Sequence, residues 1–195
     1  FVIYDKELDI VVAGRDPIGI RPLFYGYLKS SGKIAFASEV KALIHICEDI
    51  KPFPIGTIYY DGELIRYHDV KGGGDLITDE KLALSQIKHK LMEAVKKRMM
   101  SDVPIGYLLS GGLDSSLVSA IAARYTKKPI VTFAIGMEHD AIDLKYAKMV
   151  ADFIGSQHYE VTMTFDQVLE ALPYVIYHLE TYDITTVRAS LGMYL

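Results

Sequence analysis

The 195-residue sequence predicts an α+β region followed by an α/β region, and three observations support this division. The first third of the chain contains short apolar runs separated by turns, which is typical of an antiparallel sheet. From residue 105 onward, apolar runs alternate with helical patterns, which predicts a doubly wound parallel sheet. A glycine-rich stretch begins at residue 71, between the two patterns. We therefore expect domains at 1–70 and 78–195, joined by a linker at 71–77.

Six short strands are expected in the first region. They cover residues 1–4, 9–13, 23–28, 33–37, 56–60 and 63–67. Asp61-Gly62 lies between the last two strands, and this dipeptide is a strong signal for a two-residue hairpin turn. Because one layer of short strands buries little apolar surface, we expect this region to pack against further segments.

One helix is expected to interrupt these strands. The spacing of Val40, Leu43 and Ile44 is helical, so the sequence predicts a helix over about 38–46. Cys47 is then interpreted as a small apolar residue of that helix.

The second region is expected to begin with a helix that has Thr78 as its N-cap and basic residues up to Arg98 at its end. Three strands and three further helices follow in alternation. The strands cover 105–109, 129–135 and 158–163, and the helices cover 113–125, about 143–154 and about 166–180. The carboxyl ends of such parallel strands are the edge where ligands bind in open α/β sheets.

Composition excludes several classes of protein. Lys and Arg number 21 against 25 Asp and Glu, a net charge of -4, so a nucleic-acid backbone binder is disfavoured. No window approaches the roughly 18 apolar residues of a membrane span. The single cysteine excludes an intramolecular disulfide and suits a reducing compartment, so we expect a cytoplasmic protein.

The chain starts at Phe1 without an initiator Met and stops at Leu195 without a helix stop signal, so we expect an internal piece of a longer protein.

The most informative motif is Ser110-Gly111-Gly112-Leu113-Asp114-Ser115-Ser116, between an apolar strand and an amphipathic helix. A Gly-Gly turn at a helix N-terminus exposes backbone N–H groups and favours phosphate. No Gly-Lys-Ser/Thr follows, which excludes a Walker A loop. The hydroxyls of Ser110, Ser115 and Ser116 can donate to phosphate, whereas Asp114 would repel it unless a divalent cation lies between, so Asp114 predicts Mg²⁺. The alternative is an ordinary βα turn in which Asp114 and Ser115 cap the helix.

This motif resembles the pyrophosphate (PP) loop of the ATP pyrophosphatase superfamily, whose members cleave ATP between the α- and β-phosphates. Two other segments narrow the resemblance. Residues 14–25, Gly-Arg-Asp-Pro-Ile-Gly-Ile-Arg-Pro-Leu-Phe-Tyr, resemble the class II glutamine amidotransferase half of asparagine synthetases. Residues 179–190, Leu-Glu-Thr-Tyr-Asp-Ile-Thr-Thr-Val-Arg-Ala-Ser, resemble their aspartate-site segment. The chain is therefore identified as a central fragment of the glutamine-hydrolysing asparagine synthetase family.

Residue-level alternatives stand beside this resemblance. Arg15 and Asp16 could form a buried ion pair in a turn that only shapes the fold. For Thr185, Thr186 and Arg188 the alternatives are a solvated helix terminus and a guanidinium that binds a substrate carboxylate beside two hydroxyls. The end of the strand at Phe133–Met137 could hold adenine through backbone groups, or be a plain apolar strand.

The family resemblance implies an ATP-dependent carbon–nitrogen ligase that forms AMP. Aspartate and ATP give β-aspartyl-adenylate and pyrophosphate, and ammonia from glutamine then gives asparagine. The first region would be the C-terminal part of a class II glutaminase domain, a partial antiparallel β-sandwich of the Ntn-hydrolase type, and the second the start of the synthetase domain. The implied ATP contacts are Leu108, Ser110, Gly111, Gly112, Asp114, Ser115, Ser116, Ile135, Gly136 and Met137. The implied aspartate contacts are Thr185, Thr186 and Arg188; Asp114 and Arg188 would be catalytic, and Asp114 would bind Mg²⁺.

The resemblance also implies that key segments lie outside residues 1–195. A class II glutaminase uses an N-terminal cysteine, but residue 1 is Phe, so the nucleophile and the glutamine clamp are expected before it. A second ATP motif, Ser-Gly-Glu-Gly-x-Asp-Glu, is expected after Leu195. The fragment alone is therefore expected to be inactive. Two alternatives remain, a β-lactam synthetase-like adenylating enzyme and a noncatalytic truncated interaction piece; a homodimer is one expectation for the oligomeric state.

Overall fold

The computed structural model describes residues 1–70, 76–139 and 141–195, and it contains two compact units. The first unit comprises residues 1–75 and the second residues 76–195. Most of the predicted linker lies outside the described residues, so its assignment and that of the two flanking domains stay predictions. Within the described ranges, no helix is both long enough and apolar enough to cross a membrane.

Among the described residues of the first unit, seven strands form two antiparallel sheets. They are β1 (Val2–Asp5), β2 (Ile10–Arg15), β3 (Phe24–Leu28), β4 (Ile34–Ala37), β5 (Cys47–Pro52), β6 (Thr57–Tyr60) and β7 (Glu63–Arg66). One sheet has the order β1-β2-β6-β7 and the other the order β4-β3-β5, and every pair is antiparallel. The antiparallel character expected from the sequence is therefore confirmed.

The core of the first unit lies between these two sheets. Phe53 is fully buried, and its ring centroid lies 6.0 Å from those of Tyr25 and Phe36 in the second sheet. Ala13 and Tyr59 contribute from the first sheet to the same cluster. Because both sheets supply residues to one apolar cluster, they pack against each other as two layers.

The hairpin expected at Asp61-Gly62 is confirmed. Both residues have positive φ, 45° for Asp61 and 88° for Gly62, and β6 pairs with β7 from Tyr60 and Glu63 onward. Positive φ at both central positions is the condition for a type I′ turn, which explains why an Asp-Gly pair forms it.

The helix expected over 38–46 is wrong, because only a single 3₁₀ turn forms at Val40–Ala42. Cys47 is buried as expected, but it begins strand β5 and does not belong to a helix. Strand β5 has the sequence Cys-Glu-Asp-Ile-Lys-Pro, which shows no apolar alternation, and its pairing with β3 shifts register between Tyr25 and Tyr27. This segment forms a strand because it pairs with β3, and the local sequence pattern does not reveal that pairing.

The part of the second unit that the structure describes contains five α-helices and three strands. They are α1 (Glu80–Arg98), β8 (Gly106–Leu108), α2 (Leu113–Tyr125), β9 (Val131–Met137), α3 (Ile142–Ile154), β10 (Gln157–Met163), α4 (Phe165–Leu179) and α5 (Ile184–Tyr194). The strands form one parallel sheet in the order β10-β9-β8. The expected α/β alternation is confirmed, although β9 begins and ends two residues later than expected, and a helix at α5 was expected only as one alternative, the helix terminus at Thr185, Thr186 and Arg188.

The N-cap of α1 is Asp79, not the expected Thr78. The Asp79 carboxylate accepts a hydrogen bond of 2.7 Å from the backbone N–H of Leu82. Thr and Asp are both good N-caps, so local sequence does not decide between adjacent candidates. Basic residues end the helix as expected.

The two faces of the parallel sheet meet different helices. On one face, Ala134 of β9 packs in a cluster with Leu109 and with Ala147 and Ala151 of α3. On the other face, a side chain added at Gly192 of α5 would lie 3.0 Å from the Ile135 side chain, so α5 approaches the sheet closely there. Helices therefore lie on both faces of the sheet.

Candidate functional site

The Ser110–Ser116 loop follows the end of β8 and runs into the first turn of α2. Leu109, just before the loop, is 1% exposed, and its N–H donates a 2.7 Å hydrogen bond to the carbonyl of Phe133 in β9. This contact fixes the start of the loop, just after the carboxyl end of β8, to the neighbouring strand β9. The strand, loop and helix predicted from the sequence are therefore all present at this position.

Hydrogen bonds among the serines close the loop. The hydroxyl oxygens of Ser110 and Ser115 lie 3.0 Å apart, and the N–H of Ser110 donates to the Ser115 oxygen at 3.3 Å. The Ser115 hydroxyl donates to the Gly112 carbonyl at 3.2 Å, so its proton is used inside the loop. A phosphate that accepts from these hydroxyls must therefore replace internal hydrogen bonds.

The two glycines of the loop differ in their surroundings. Gly111 has a φ of +77°, and a Cβ there would lie 2.5 Å from the Cβ of Tyr146 and 2.6 Å from the backbone N of Ala147 in α3. Glycine is therefore required at 111 by the protein itself. Gly112 has an ordinary φ of -71°, and a Cβ there would meet only the Ser110 hydroxyl, at 3.4 Å. Packing within the described residues therefore does not require glycine at 112.

The N-terminus of α2 has no side-chain cap. Its N-cap is Gly112, which cannot accept a hydrogen bond through a side chain; α3, with Ala141 as N-cap, is also uncapped, whereas α1, α4 and α5 are capped by Asp79, Thr164 and Asp183. The alternative in which Asp114 or Ser115 caps the helix is therefore not observed. Uncapped first-turn N–H groups are suited to an anion.

Asp114 and Ser116 occupy the first turns of α2. The Asp114 side chain is exposed, and no group of three or more potential metal ligands occurs in the part of the chain that the structure describes. The Ser116 hydroxyl oxygen is buried and has no hydrogen-bond partner among the described residues. The Ser119 hydroxyl oxygen of the same helix is also buried without a partner among the described residues, so this feature does not by itself mark a ligand site.

The strand residues expected near adenine divide between the two faces of the sheet. Leu108 is 62% exposed and pairs in register with Phe133, which places Leu108 and Ile135 on the same face. Gly136 points to the opposite face, where a Cβ would lie 2.8 Å from that of Ala141. Leu108 and Ile135 therefore share the α5 side, and Gly136 is pressed against the start of α3.

Thr185, Thr186 and Arg188 lie in the first half of α5 and are all exposed. The N-cap Asp183 accepts from the backbone N–H of Thr186 at 2.8 Å and from its hydroxyl at 2.7 Å. These bonds, first that from the backbone N–H, hold the pKa of Asp183 below its usual range. Arg188 forms no ion pair within the described residues. The segment is thus a solvated helix terminus that also presents a free guanidinium.

In the first unit, Arg15 and Asp16 do not form the expected ion pair in the described structure. Arg15 donates to the carbonyls of Phe53 at 2.7 Å, Arg21 at 3.1 Å and Gly19 at 3.4 Å. Asp16 accepts from the N–H of Ile20 at 2.8 Å, and this hydrogen bond lowers the pKa of the Asp16 carboxyl. Asp16 satisfies backbone groups of its own turn, whereas Arg15 also joins that turn to the distant carbonyl of Phe53. Both residues therefore shape the fold, but through backbone hydrogen bonds and not through an ion pair.

Sequence reasoning missed two residues beside these segments. Asp183 carried a recognisable signal, because Asp is one of the preferred N-cap residues before a helical segment. Tyr146 carried none, since its contact with Gly111 joins two distant parts of the chain.

Comparisons with known proteins match both units. The sequence profile described as "Asparagine synthase" matches residues 86–195, and the profile described as "Glutamine amidotransferase domain" matches residues 1–65. Asparagine synthetase B [glutamine-hydrolyzing] of Escherichia coli is 41% identical over 215 residues, which cover all of this chain and 38% of that protein. A probable asparagine synthetase [glutamine-hydrolyzing] of Schizosaccharomyces pombe is 44% identical over 222 residues, which cover all of this chain and 39% of that protein.

These observations define a chain with an antiparallel β unit followed by an α/β unit that carries a serine- and glycine-rich strand-to-helix loop. The asparagine synthase match covers more than half of the chain, and the chain belongs to the asparagine synthase family. The family predicted from the motifs is therefore confirmed. The chain spans about two fifths of the length of the curated relatives that it matches.

Proposed function

We propose that the chain is part of a cytoplasmic glutamine-hydrolysing asparagine synthetase. The full-length protein would convert aspartate, ATP and glutamine, with water, into asparagine, AMP, pyrophosphate and glutamate. In this proposal, the first unit belongs to a class II glutaminase of the Ntn-hydrolase type, and the second to a doubly wound synthetase domain with a PP loop. The matched relatives are named asparagine synthetases, which does not favour the β-lactam synthetase alternative.

The observation that carries the proposal is the geometry of the Ser110–Ser116 loop. The first turn of α2 is uncapped, and the side-chain position at Gly112 is open, so a pyrophosphate can approach the backbone there. The Ser116 hydroxyl, which is buried and has no partner among the described residues, would donate to a phosphate oxygen once a local shift of the loop exposes it. Leu108 and the strand end at Ile135–Met137 would contact adenine.

Asp114 fits a Mg²⁺ site of the kind that is completed by substrate. Mg²⁺ is usually held by one or two carboxylates together with substrate phosphates and water. Asp114 is the carboxylate within the loop, and it is exposed beside the proposed phosphate position. When bound, the ion would neutralise charge that develops on the leaving pyrophosphate.

The chain's own residues would orient the two reactants. Arg188 presents a planar guanidinium that can bind a carboxylate of aspartate through two parallel hydrogen bonds, beside Thr185 and Thr186. Holding aspartate in this way lowers the entropic cost of attack by its side-chain carboxylate on the α-phosphate. The adenylate forms as pyrophosphate leaves toward the Ser110–Ser116 loop.

ATP–pyrophosphate exchange in the full-length protein tests this proposal. Asp114→Ala should reduce exchange by on the order of a hundredfold or more, because one metal ligand is lost, and should leave glutamine hydrolysis largely intact. Asp166→Ala is the matched control, because Asp166 occupies the same position in the first turn of α4 as Asp114 does in α2. Normal exchange by the Asp114 variant at moderate Mg²⁺ would remove this residue from the mechanism.

A further inference from the structure

The Thr-Thr-x-Arg segment of α5 holds its two threonines in different ways. Both hydrogen-bond donors of Thr186, the backbone N–H and the hydroxyl, are directed at one carboxylate oxygen of Asp183, at 2.8 and 2.7 Å. The hydroxyl of Thr185 forms no hydrogen bond within the described residues. Thr185 therefore keeps a free donor, whereas Thr186 can offer a ligand only the lone pairs of its oxygen.

Thr185 and Arg188 also lie on a different side of α5 from Thr186. Thr185, Arg188 and Gly192 are spaced i, i+3 and i+7, which places them on one side of the helix. Gly192 on this side lies against Ile135 of β9, so the stripe is on the side of the helix that approaches the sheet. Val187 and Leu191 form another side, which packs with α4. Thr186 follows Thr185 by one residue and is turned about 100° away from the stripe.

Asp183 links the hydrogen bonding of Thr186 to the orientation of the first turn of α5. Its carboxylate caps the helix and also holds the Thr186 side chain, so it fixes the rotation of the first turn on which Thr185 stands. On the basis of the proposed function, we propose that Asp183 is a positioning residue. Its carboxylate binds both donors of Thr186, and Thr185 and Arg188 remain as the free donors for the carboxylate of aspartate. Thr186 then acts through Asp183 and the helix, and contributes no proton to the substrate.

Kinetics of the full-length protein, with ammonia supplied directly, test this role. Asp183→Ala should raise the apparent KM for aspartate about tenfold or more, because the donors lose their alignment, while the KM for ATP changes less than about twofold. Asp183→Asn should recover most of the affinity, because its amide oxygen accepts the same two hydrogen bonds. Thr186→Val should raise the KM for aspartate by a smaller factor than Asp183→Ala, because it removes only the hydroxyl hydrogen bond and keeps the backbone one, and Thr186→Ser should restore the normal KM.

The double variant Asp183→Ala/Thr186→Val separates positioning from direct contact. If the two residues act as one unit, the double variant is no worse than Asp183→Ala alone. Additive losses would show that Thr186 contacts the substrate independently, and would overturn the inference.

Asp79→Ala is the matched control for a purely structural cap. Asp79 also caps a helix with a 2.7 Å hydrogen bond to a backbone N–H, but it lies on α1. The control should lower the melting temperature and leave the KM for aspartate unchanged. If Asp183→Ala and Thr186→Val also lower only the melting temperature, Asp183 is merely a cap and the inference is wrong.

Arg188→Lys distinguishes failure of this inference from failure of the proposed function. The lysine keeps the charge but loses the planar two-point contact, so the KM for aspartate should rise while that for ATP changes little. A rise with Arg188→Lys and none with Asp183→Ala overturns only the positioning role. If the Arg188 variant instead weakens ATP and leaves aspartate unaffected, the assignment of α5 to aspartate fails and the inference fails with it.

Discussion

Substitution of the two neighbouring glycines of the loop by alanine should have opposite consequences for stability and catalysis. At Gly111, alanine must adopt a φ of +77° and place its methyl group 2.5–2.6 Å from backbone and Cβ atoms of α3. The left-handed conformation costs about 1–2 kcal/mol, and overpacking against atoms that cannot rotate away costs about 1–3 kcal/mol. Gly111→Ala should therefore destabilise the second unit by about 2–5 kcal/mol.

Gly112→Ala should leave stability nearly unchanged. The residue has ordinary extended backbone angles, and the added methyl group meets only the Ser110 hydroxyl, at 3.4 Å. Alanine reduces the entropy of the unfolded chain but is a poorer N-cap than glycine, and these opposing effects leave a net change within about 1 kcal/mol. If pyrophosphate lies against this position, the methyl group occupies its space, and exchange should fall roughly ten- to a hundredfold.

Urea unfolding and ATP–pyrophosphate exchange of the full-length variants measure the two effects separately. The expected result is a lowered unfolding midpoint for Gly111→Ala, and a normal midpoint with impaired exchange for Gly112→Ala. Two results would refute the reasoning. Equal destabilisation by both variants would contradict the difference in packing, and a stable Gly112 variant with normal exchange would show that phosphate does not approach this glycine.

Two further predictions concern stability. Because its pKa is lowered in the folded protein, Asp183 stabilises α5 fully above its unfolded pKa of about 3.9, and this contribution is lost as the pH falls through the lower folded pKa. Asp183→Asn should therefore flatten the acid limb of an unfolding titration below about pH 4, and an unchanged limb would contradict this. Phe53→Ala should destabilise the first unit by about 3–5 kcal/mol in urea, since the side chain is fully buried between two sheets, whereas truncation of the exposed Tyr60 should cost less than about 1 kcal/mol.

The sequence was most informative where local chemistry alone decides the structure. Asp61-Gly62 forms a hairpin because both residues tolerate positive φ, and Gly111-Gly112 follows an apolar strand and opens a helix. Strand β5 depends instead on pairing with β3, and the Gly111–Tyr146 contact joins segments 35 residues apart. Such contacts come from tertiary packing, which the periodicity of one segment does not encode.

The candidate site shows the same division between local and distant determinants. The serines, glycines and carboxylate of the loop are adjacent in sequence, so their grouping could be predicted before the structure. The grouping of Leu108, Ile135 and α5 on one face of the sheet could not, because it requires both the register of β8 with β9 and the approach of Gly192 to Ile135.

The Ser110–Ser116 loop has a defined orientation relative to the two faces of the parallel sheet. Gly111 lies directly against the backbone of α3, so that helix supports the loop from one face of the sheet and leaves no room for a side chain at this point. Leu108 is exposed on the opposite face, the face that α5 approaches through Gly192. A nucleotide held by the open side of the loop at Gly112 and by Leu108 must therefore lie on the α5 side. The proposed contacts for ATP and for aspartate then face one space, as transfer of the adenylyl group between them requires.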